Sequence, residues 1–194
     1  MVFVPRFARR LWLVAAAAAA LPCLSAQTLA VRADSGRLHV SAPKLQFLEA
    51  RPLERLRDGA SVIFAVQLTL LAASKSAVLA RAAGRFAVSY DLWEEKFAVT
   101  HLAVPRKAVS HLSAPQAEAW CLDNLALAAG GLSPDSSFWV RLDVRAENPQ
   151  DTPAPGEETG ITLARLVEIF SRAQEPGESR KRTDAGPFRL KDLR

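Results

Sequence analysis

The chain has 194 residues, 49% of them hydrophobic, which is enough for one domain with a sizeable core. Its formal net charge of +5 comes from the two ends, because residues 1–26 hold three arginines and no acid, and residues 178–194 hold six basic and three acidic residues. The body between them, residues 27–177, has 16 basic and 17 acidic residues and so lacks the basic footprint of a nucleic-acid-binding protein.

Residues 1–26 have the three-part layout of a secretory signal peptide. Three arginines precede an uncharged run that includes Ala15–Ala20, and small residues stand before Gln27. We therefore expect cleavage between Ala26 and Gln27 and export to the periplasm or cell envelope. The alternative is a retained membrane anchor, although the uncharged stretch 11–26 has 16 residues and a spanning helix needs about 20.

Two cysteines are present, and the first, Cys23, leaves with the signal peptide. Pro22 directly before it disfavours acylation of Cys23 as in a lipoprotein. Cys121 is then alone, so the mature chain is expected to have no disulfide. A lone cysteine in an apolar helical pattern is typical of a small buried side chain.

The first elements are a short strand at 37–41 and a helical segment at Pro52–Arg57, with Pro52 at its first position. After a turn at Asp58-Gly59, residues 61–73 alternate apolar and polar side chains, with a second face that is also half apolar. This pattern predicts a central strand covered on both sides for part of its length.

Residues 86–100 (FAVSYDLWEEKFAVT) predict a β-hairpin, because each arm alternates apolar and polar side chains around an acidic turn. The turn has no Asn-Gly or Asp-Gly pair, so a four-residue loop on a type I turn is expected. The first arm can begin as early as Ala77, and Gly84 would then mark a bulge or bend. Together with strand 61–73, the hairpin forms a three-stranded meander that ends before Pro105.

Ser113 and Gln116 form a capping box that starts a helix, and Gly130-Gly131 supplies its end. Its apolar stripe contains Trp120, which we expect to pack on the sheet. Residues 137–146 (SFWVRLDVRA) predict a further strand with one apolar face. The opposite face, which carries Trp139, two arginines and an aspartate, is predicted to be solvated.

The domain is therefore assigned to residues 27–146. Residues 147–159 are an acidic, proline-rich linker, and residues 160–173 contain an amphipathic helix. We expect this C-terminal helix to dock on the domain, with a partner-binding or membrane-surface role as the alternative. Residues 174–194 are predicted to be a basic, mobile tail that makes at most weak contact with a membrane surface.

No motif indicates a catalytic, cofactor-binding or metal-binding residue, and no cofactor is expected. His39, His101 and His111 have no cysteine or histidine partner at a ligand spacing, although the last two flank Pro105 and could meet in space. The adjacent acids Glu94-Glu95 and the pair at 157–158 are interpreted as solvated loop charges.

Exposed aromatic residues give the best indication of a binding surface. Trp93 and its neighbours Glu94 and Glu95 lie at the hairpin turn, and Trp139 lies on the polar face of its strand. Aromatic residues with arginine neighbours are enriched at interfaces. The alternative is that a second layer of the fold covers the two tryptophans.

This order of elements resembles an uncharacterised family of exported bacterial proteins of similar length, classed as a domain of unknown function. The resemblance covers Leu38 to Arg145. Its most specific part is Tyr90–Phe97, an aromatic strand followed by a short polar turn and a second aromatic residue, from which Asp91 and Trp93 depart. The resemblance implies an envelope location and supplies no catalytic residue.

These patterns predict an α+β fold, with an antiparallel sheet of four or five strands, one packed helix and a C-terminal helix. The alternative is a β-sandwich with peripheral helices. We expect a non-enzymatic domain that binds a protein or small ligand in the cell envelope. The alternatives are an envelope hydrolase with dispersed residues, indicated by a pocket of carboxylates with His101 or His111, and a membrane-tethered protein that keeps its N-terminal segment.

Overall fold

The computed structural model describes residues 29–147 and 179–193. The fold is α+β, with two antiparallel sheets and two α-helices in the described residues. The elements are β1 (Ala30–Asp34), β2 (Arg37–Ser41), α1 (Ala50–Arg57), β3 (Val62–Ala72), β4 (Val78–Asp91), β5 (Lys96–His101), β6 (Lys107–Leu112), α2 (Ala114–Asp123), β7 (Leu127–Ala128), β8 (Ser137–Ala146) and β9 (Arg180–Arg189).

The larger sheet has the strand order β6-β5-β4-β3-β8-β9. The predicted meander is confirmed, because β3 pairs with β4 and β4 pairs with β5, both antiparallel. β3 lies in the middle, with β8 on its other side. Both faces of β3 are largely buried, including Ala65 and Leu71 on the second face, so the predicted two-sided cover is also confirmed.

The core lies between the inner face of the large sheet and a second layer made of α1, α2 and the small sheet β1-β2-β7. Phe64 of β3 is fully buried there and contacts Phe47, with ring centroids 5.2 Å apart. Leu38 of β2 and Leu127 of β7 pair with each other and belong to the same cluster. A single apolar cluster therefore joins both sheets and both helices.

Helix α2 begins as predicted, with the backbone N–H of Ser113 donating to Gln116 Oε1 at 2.9 Å. Trp120 packs edge-to-face on Phe86 of β4, at a centroid distance of 6.2 Å. The helix ends at Asp123, earlier than Gly130-Gly131 predicts. The reason is that Leu127–Ala128 leaves the helical path and pairs with β2.

The prediction of a bulge at Gly84 is wrong, because Gly84 pairs with Val66 in unbroken register. The glycine instead permits a close approach from the second layer. A Cβ at this position would lie 2.9 Å from Leu125 Cδ2 and 3.0 Å from His101 Nε2. The irregularity of β4 lies nearer its start, opposite Leu70 and Leu71.

The predicted strand number is too low, because the described residues contain nine strands and the sequence patterns predict five of them. The missed strands are β1, β6, β7 and β9. β6 is largely exposed and lacks an alternating apolar face, and β7 has only two residues. Such strands carry little periodicity, because they depend on pairing with a neighbour that is already in place.

The prediction that 174–194 is a mobile tail is wrong for Arg180–Arg189, which forms β9 at the edge of the large sheet. The predicted solvated face of β8 is also wrong, because Asp143 and Arg145 are both 3% exposed. Asp143 accepts hydrogen bonds from Arg180 at 2.6 and 2.9 Å and from Arg182 at 2.8 Å. Charged residues of β8 and of β9 each suggest a solvated segment when read alone. In the fold, two arginines of β9 instead pair with the aspartate of β8.

The sequence predicts that the linker begins at Glu147, but this residue belongs to the folded body. Its carboxylate binds the guanidinium of Arg85 on β4, with Nε 2.6 Å from Oε1 and a second contact from Nη2 to Oε2. Both side chains are buried. The backbone N–H of Glu147 also donates to the carbonyl of Ile63 on β3, at 2.8 Å.

Several predicted segments lie outside the described residues. They are the signal peptide 1–26 with its cleavage site at Ala26 and Gln27, the linker after Glu147, the amphipathic helix in 160–173 and the first residues of the tail, 174–178.

Candidate functional site

The hairpin turn joins Asp91 of β4 to Lys96 of β5, which leaves a four-residue loop as predicted. The Asp91 carboxylate folds back over this loop, with Oδ1 accepting from the backbone N–H groups of Trp93 at 2.8 Å and Glu94 at 3.0 Å. These hydrogen bonds hold the pKa of Asp91 below its usual value, and the bond from Glu94 has the larger effect. An aspartate at the start of a turn commonly makes this contact, and it orders the loop.

The side chains at the tip of the loop point into solvent. Trp93 is 96% exposed and Leu92 is 57% exposed. Glu94 pairs with His111 of β6, with 3.0 Å between Oε2 and Nε2, and Glu95 is exposed beside it. The structure therefore brings together three of the four predicted surface residues, and we call Leu92–Glu95 the hairpin tip.

Trp139 does not belong to this surface. It pairs with Leu71, which pairs with Val78 at the far end of β4, 13 residues from Asp91. At about 3.3 Å per residue, the two tryptophans are roughly 40 Å apart along the sheet. Lys75 Nζ lies 3.5 Å from the centroid of the Trp139 ring, and the ring also packs on β9 at Gly186. The alternative prediction, that a second layer covers both tryptophans, is wrong for Trp93, and Trp139 is half-buried by Lys75 and by a strand of its own sheet.

The histidines do not converge. His101 and His111 lie at opposite ends of the β5–β6 pair. His101 pairs with Lys107, whereas Leu112, the neighbour of His111, pairs with Phe97, four positions before His101. The His101 ring stacks on Phe86 at 4.6 Å, and burial, followed by the charge of Lys107, lowers its pKa. Within 29–147 and 179–193, no three metal-ligating side chains group together.

The structure adds a feature that the sequence reasoning missed, a cavity of about 220 Å³ between α2 and the chain after β2. Its lining includes Ser41, Pro43, Pro115, Glu118, Leu122 and Asp123. Most of the wall is apolar, and the two carboxylates are its charged groups among these residues. We call this space the α2 cavity.

Glu118 is the buried acid of the α2 cavity, at 8% exposure. Its Oε1 accepts from the backbone N–H groups of Phe47 at 2.6 Å and Leu48 at 2.8 Å, so the side chain ties α2 to the segment before α1. Burial raises the pKa of Glu118, the two backbone hydrogen bonds oppose that rise, and the charge of Glu49 adds to it. The sequence signal that could have indicated this buried acid is a glutamate on the same side of an apolar helix as Ala117 and Cys121.

Cys121 lies one helical turn after Glu118 and is a free, fully buried thiol. Burial, with a further contribution from the Glu118 charge, raises the pKa of the thiol far above its usual value. A thiol in that state is a packing group rather than a nucleophile. The prediction of a small buried side chain is confirmed.

Neither α1 nor α2, the α-helices of the described residues, has the length and apolar character needed to cross a membrane. Comparison of the chain with protein-family models, with curated proteins and with solved structures finds no match.

Proposed function

We propose that the protein is a non-enzymatic binding domain of the cell envelope and that it contacts a partner protein through the hairpin tip. The observation that carries the proposal is the 96% exposure of Trp93 on a loop that Asp91 holds in place. Tryptophan is enriched among the residues that dominate binding energy. Full burial of a large apolar side chain stabilises a complex by about 1.5–3 kcal/mol, and an ordered loop loses little entropy on binding.

The charges around the hairpin tip define the partner's chemistry. Glu94 and Glu95 follow Trp93, and both are exposed. A complementary surface has an apolar pocket for the Trp93 ring and a rim of lysine or arginine. The same acids disfavour an anionic membrane surface as the binding target, because like charges repel.

The test is capture from envelope extracts with the mature chain from Gln27 and two single variants. Trp93→Ala should abolish capture, because it removes the exposed ring. Trp139→Ala is the matched control and should retain capture, because Lys75 and Gly186 cover that ring within the fold. Changing both Glu94 and Glu95 to lysine should weaken capture by a partner with a basic rim.

The urea midpoint of Trp93→Ala should match that of the parent chain, since an exposed substitution changes stability by less than about 0.5 kcal/mol. Capture that is indifferent to Trp93→Ala, or equally sensitive to Trp139→Ala, would refute the hairpin tip as the binding surface. Absence of any captured protein would count against the proposed function itself.

The envelope location rests on residues 1–26, whose arginines, alanine-rich run and small residues before Gln27 support export. N-terminal sequencing of the native protein should begin at Gln27. A native chain that still begins at Met1 or Val2 would instead favour the alternative of a membrane-tethered protein.

One observation favours the second candidate, an envelope hydrolase with dispersed residues. The α2 cavity brings Glu118 and Asp123 to one space, as acid–base chemistry with paired carboxylates requires. Neither His101 nor His111 is among its lining residues. Hydrolytic turnover that disappears in Glu118→Gln would establish this candidate and displace the first.

A further inference from the structure

We propose that the α2 cavity binds a primary ammonium group on a short apolar stem, with Glu118 as the counter-ion. This site is separate from the hairpin tip, and it does not depend on the function proposed for that surface.

The arrangement of the Glu118 carboxylate is the first argument. Both backbone donors, Phe47 and Leu48, bind the same oxygen, Oε1. No described residue donates to Oε2, and Oε2 is not among the fully enclosed polar atoms that lack a partner. Since Glu118 lines the α2 cavity, this second oxygen opens on the cavity. A buried side chain is thus anchored through one oxygen and offers the other to a ligand.

The electrostatics of the cavity select a cation. Burial opposes ionisation of Glu118, and Glu49 adds a like charge, whereas no basic side chain of the described residues is among the groups that act on its pKa. Asp123 lies on the same lining and adds a second carboxylate. An ammonium group beside Oε2 would supply the missing positive charge and a charge-assisted hydrogen bond. A ligand carboxylate would be repelled.

The apolar walls and the volume of the cavity determine the kind and length of the stem that carries the ammonium group. Ala42, Pro43, Pro115 and Leu122 give an apolar lining suited to methylene groups. The volume of about 220 Å³ exceeds the roughly 150 Å³ that accommodates benzene in an engineered cavity. It is smaller than the ~300–1,000 Å³ of typical drug-sized sites. A linear amine of about four to six carbons fits that interval.

The probe is n-butylammonium, titrated into the mature chain from Gln27 by calorimetry and by chemical-shift perturbation of amides in α2. Its isosteres n-butanol and butyrate test the need for the positive charge. We expect saturable millimolar binding of the amine, at least tenfold tighter than binding of the alcohol, and no binding of the acid. A second probe, Nα-acetyl-lysine methylamide, distinguishes a free amine from a lysine side chain as the natural source of the group.

Two variants test the site itself. Glu118→Gln keeps a carbonyl oxygen for the N–H groups of Phe47 and Leu48 and removes the charge, so affinity for butylammonium should fall at least tenfold. Ala119→Leu lies on the cavity lining and should block binding by filling the space, even if Glu118→Gln proves unstable. Asp135→Asn, which removes an exposed carboxylate outside the α2 cavity, is the matched control and should leave affinity within twofold.

The proposal would be overturned if neither amine binds saturably, or if butanol and butyrate bind as well as butylammonium. It would also be overturned if affinity is the same in Glu118→Gln and Ala119→Leu as in the parent chain. None of these results bears on capture of a partner through Trp93, so failure of this site and failure of the hairpin-tip proposal are distinguishable.

Discussion

Loss of the carboxylate of Glu147 should destabilise the fold more than most single substitutions in this chain. The Arg85 and Glu147 side chains are 7% and 1% exposed, and Nε lies 2.6 Å from Oε1. The variant Glu147→Gln keeps the size of the side chain but leaves the buried guanidinium of Arg85 without its counter-charge.

The expected cost follows from desolvation rather than from the attraction between the two charges. A buried pair gains about as much Coulomb energy as its two ions lose in hydration, so its net contribution is small. Removal of one partner leaves the other ion dehydrated, which typically costs about 3–5 kcal/mol. Since domains unfold with only about 5–15 kcal/mol, we expect the variant to lose about a fifth or more of its stability.

Urea unfolding followed by circular dichroism measures this loss, and Arg85→Met, Glu147→Met and the double variant Arg85→Met/Glu147→Met form a double-mutant cycle. The double variant should recover most of the loss, because no buried charge of the pair remains. Asp135→Asn is the matched control, since its bond to Lys191 is exposed and worth at most about 1 kcal/mol. A cost below about 1 kcal/mol for Glu147→Gln, or a double variant no more stable than the single ones, would refute the reasoning.

Three further predictions concern the sheet and the α2 cavity. Asp143→Asn should cost about 2–4 kcal/mol and raise amide hydrogen exchange in β9, because the carboxylate joins two arginines of that strand to β8; unchanged exchange would contradict this role. Gly84→Ala should lower the free energy of unfolding in urea by about 1–2 kcal/mol, since its Cβ would lie 2.9 Å from Leu125 Cδ2, and an unchanged or higher stability would contradict this close approach. Protonation of Glu118 should stabilise the fold, because its folded-state pKa is raised above 4.5: stability should fall as pH rises from 4.5 through the folded pKa, and Glu118→Gln should abolish that slope in pH-dependent unfolding curves.

The central part of the fold was predictable because it has strong local periodicity. β3, the hairpin and β8 each alternate apolar and polar side chains, and the structure contains all of them within one or two residues of their predicted bounds. The four-residue turn followed from the absence of a tight-turn pair. Helix α2 followed from its capping box, because a helix start depends on residues only three positions apart.

β9 was not predictable by the same reasoning, because its polar sequence gains stability only from a distant strand. Arg180 and Arg182 need Asp143, which lies nearly forty positions earlier in the chain. The signal was present as matching charges, with an Arg-x-Asp-x-Arg pattern in β8 and Arg, Arg and Asp at alternate positions from 180 to 184. Opposite charges across a strand pair are a known stabilising arrangement, but a single segment does not show which partner it has.

The α2 cavity was missed for a related reason. Glu118 reads as one polar position in an apolar helix, and only the fold brings the Phe47 and Leu48 amides to it. The pairing of Trp93 with Trp139 as one surface failed because the spacing of residues along separate strands does not fix their distance across a sheet. The exposure of Trp93 was predicted correctly from its position in the turn.

The position of β9 at the sheet edge makes residues 180–189 a protective element of the fold. A chain that ends before Arg180 would uncover the outer edge of β8, a ten-residue strand with Val140, Leu142 and Val144 on one face. Its unpaired N–H and C=O groups would then be available to a second molecule, and long apolar edges of this kind promote aggregation. In the intact protein that edge is filled by a strand with four arginine or lysine side chains and a proline. Edge strands with several charged side chains and a proline resist further pairing, so β9 keeps the sheet from growing.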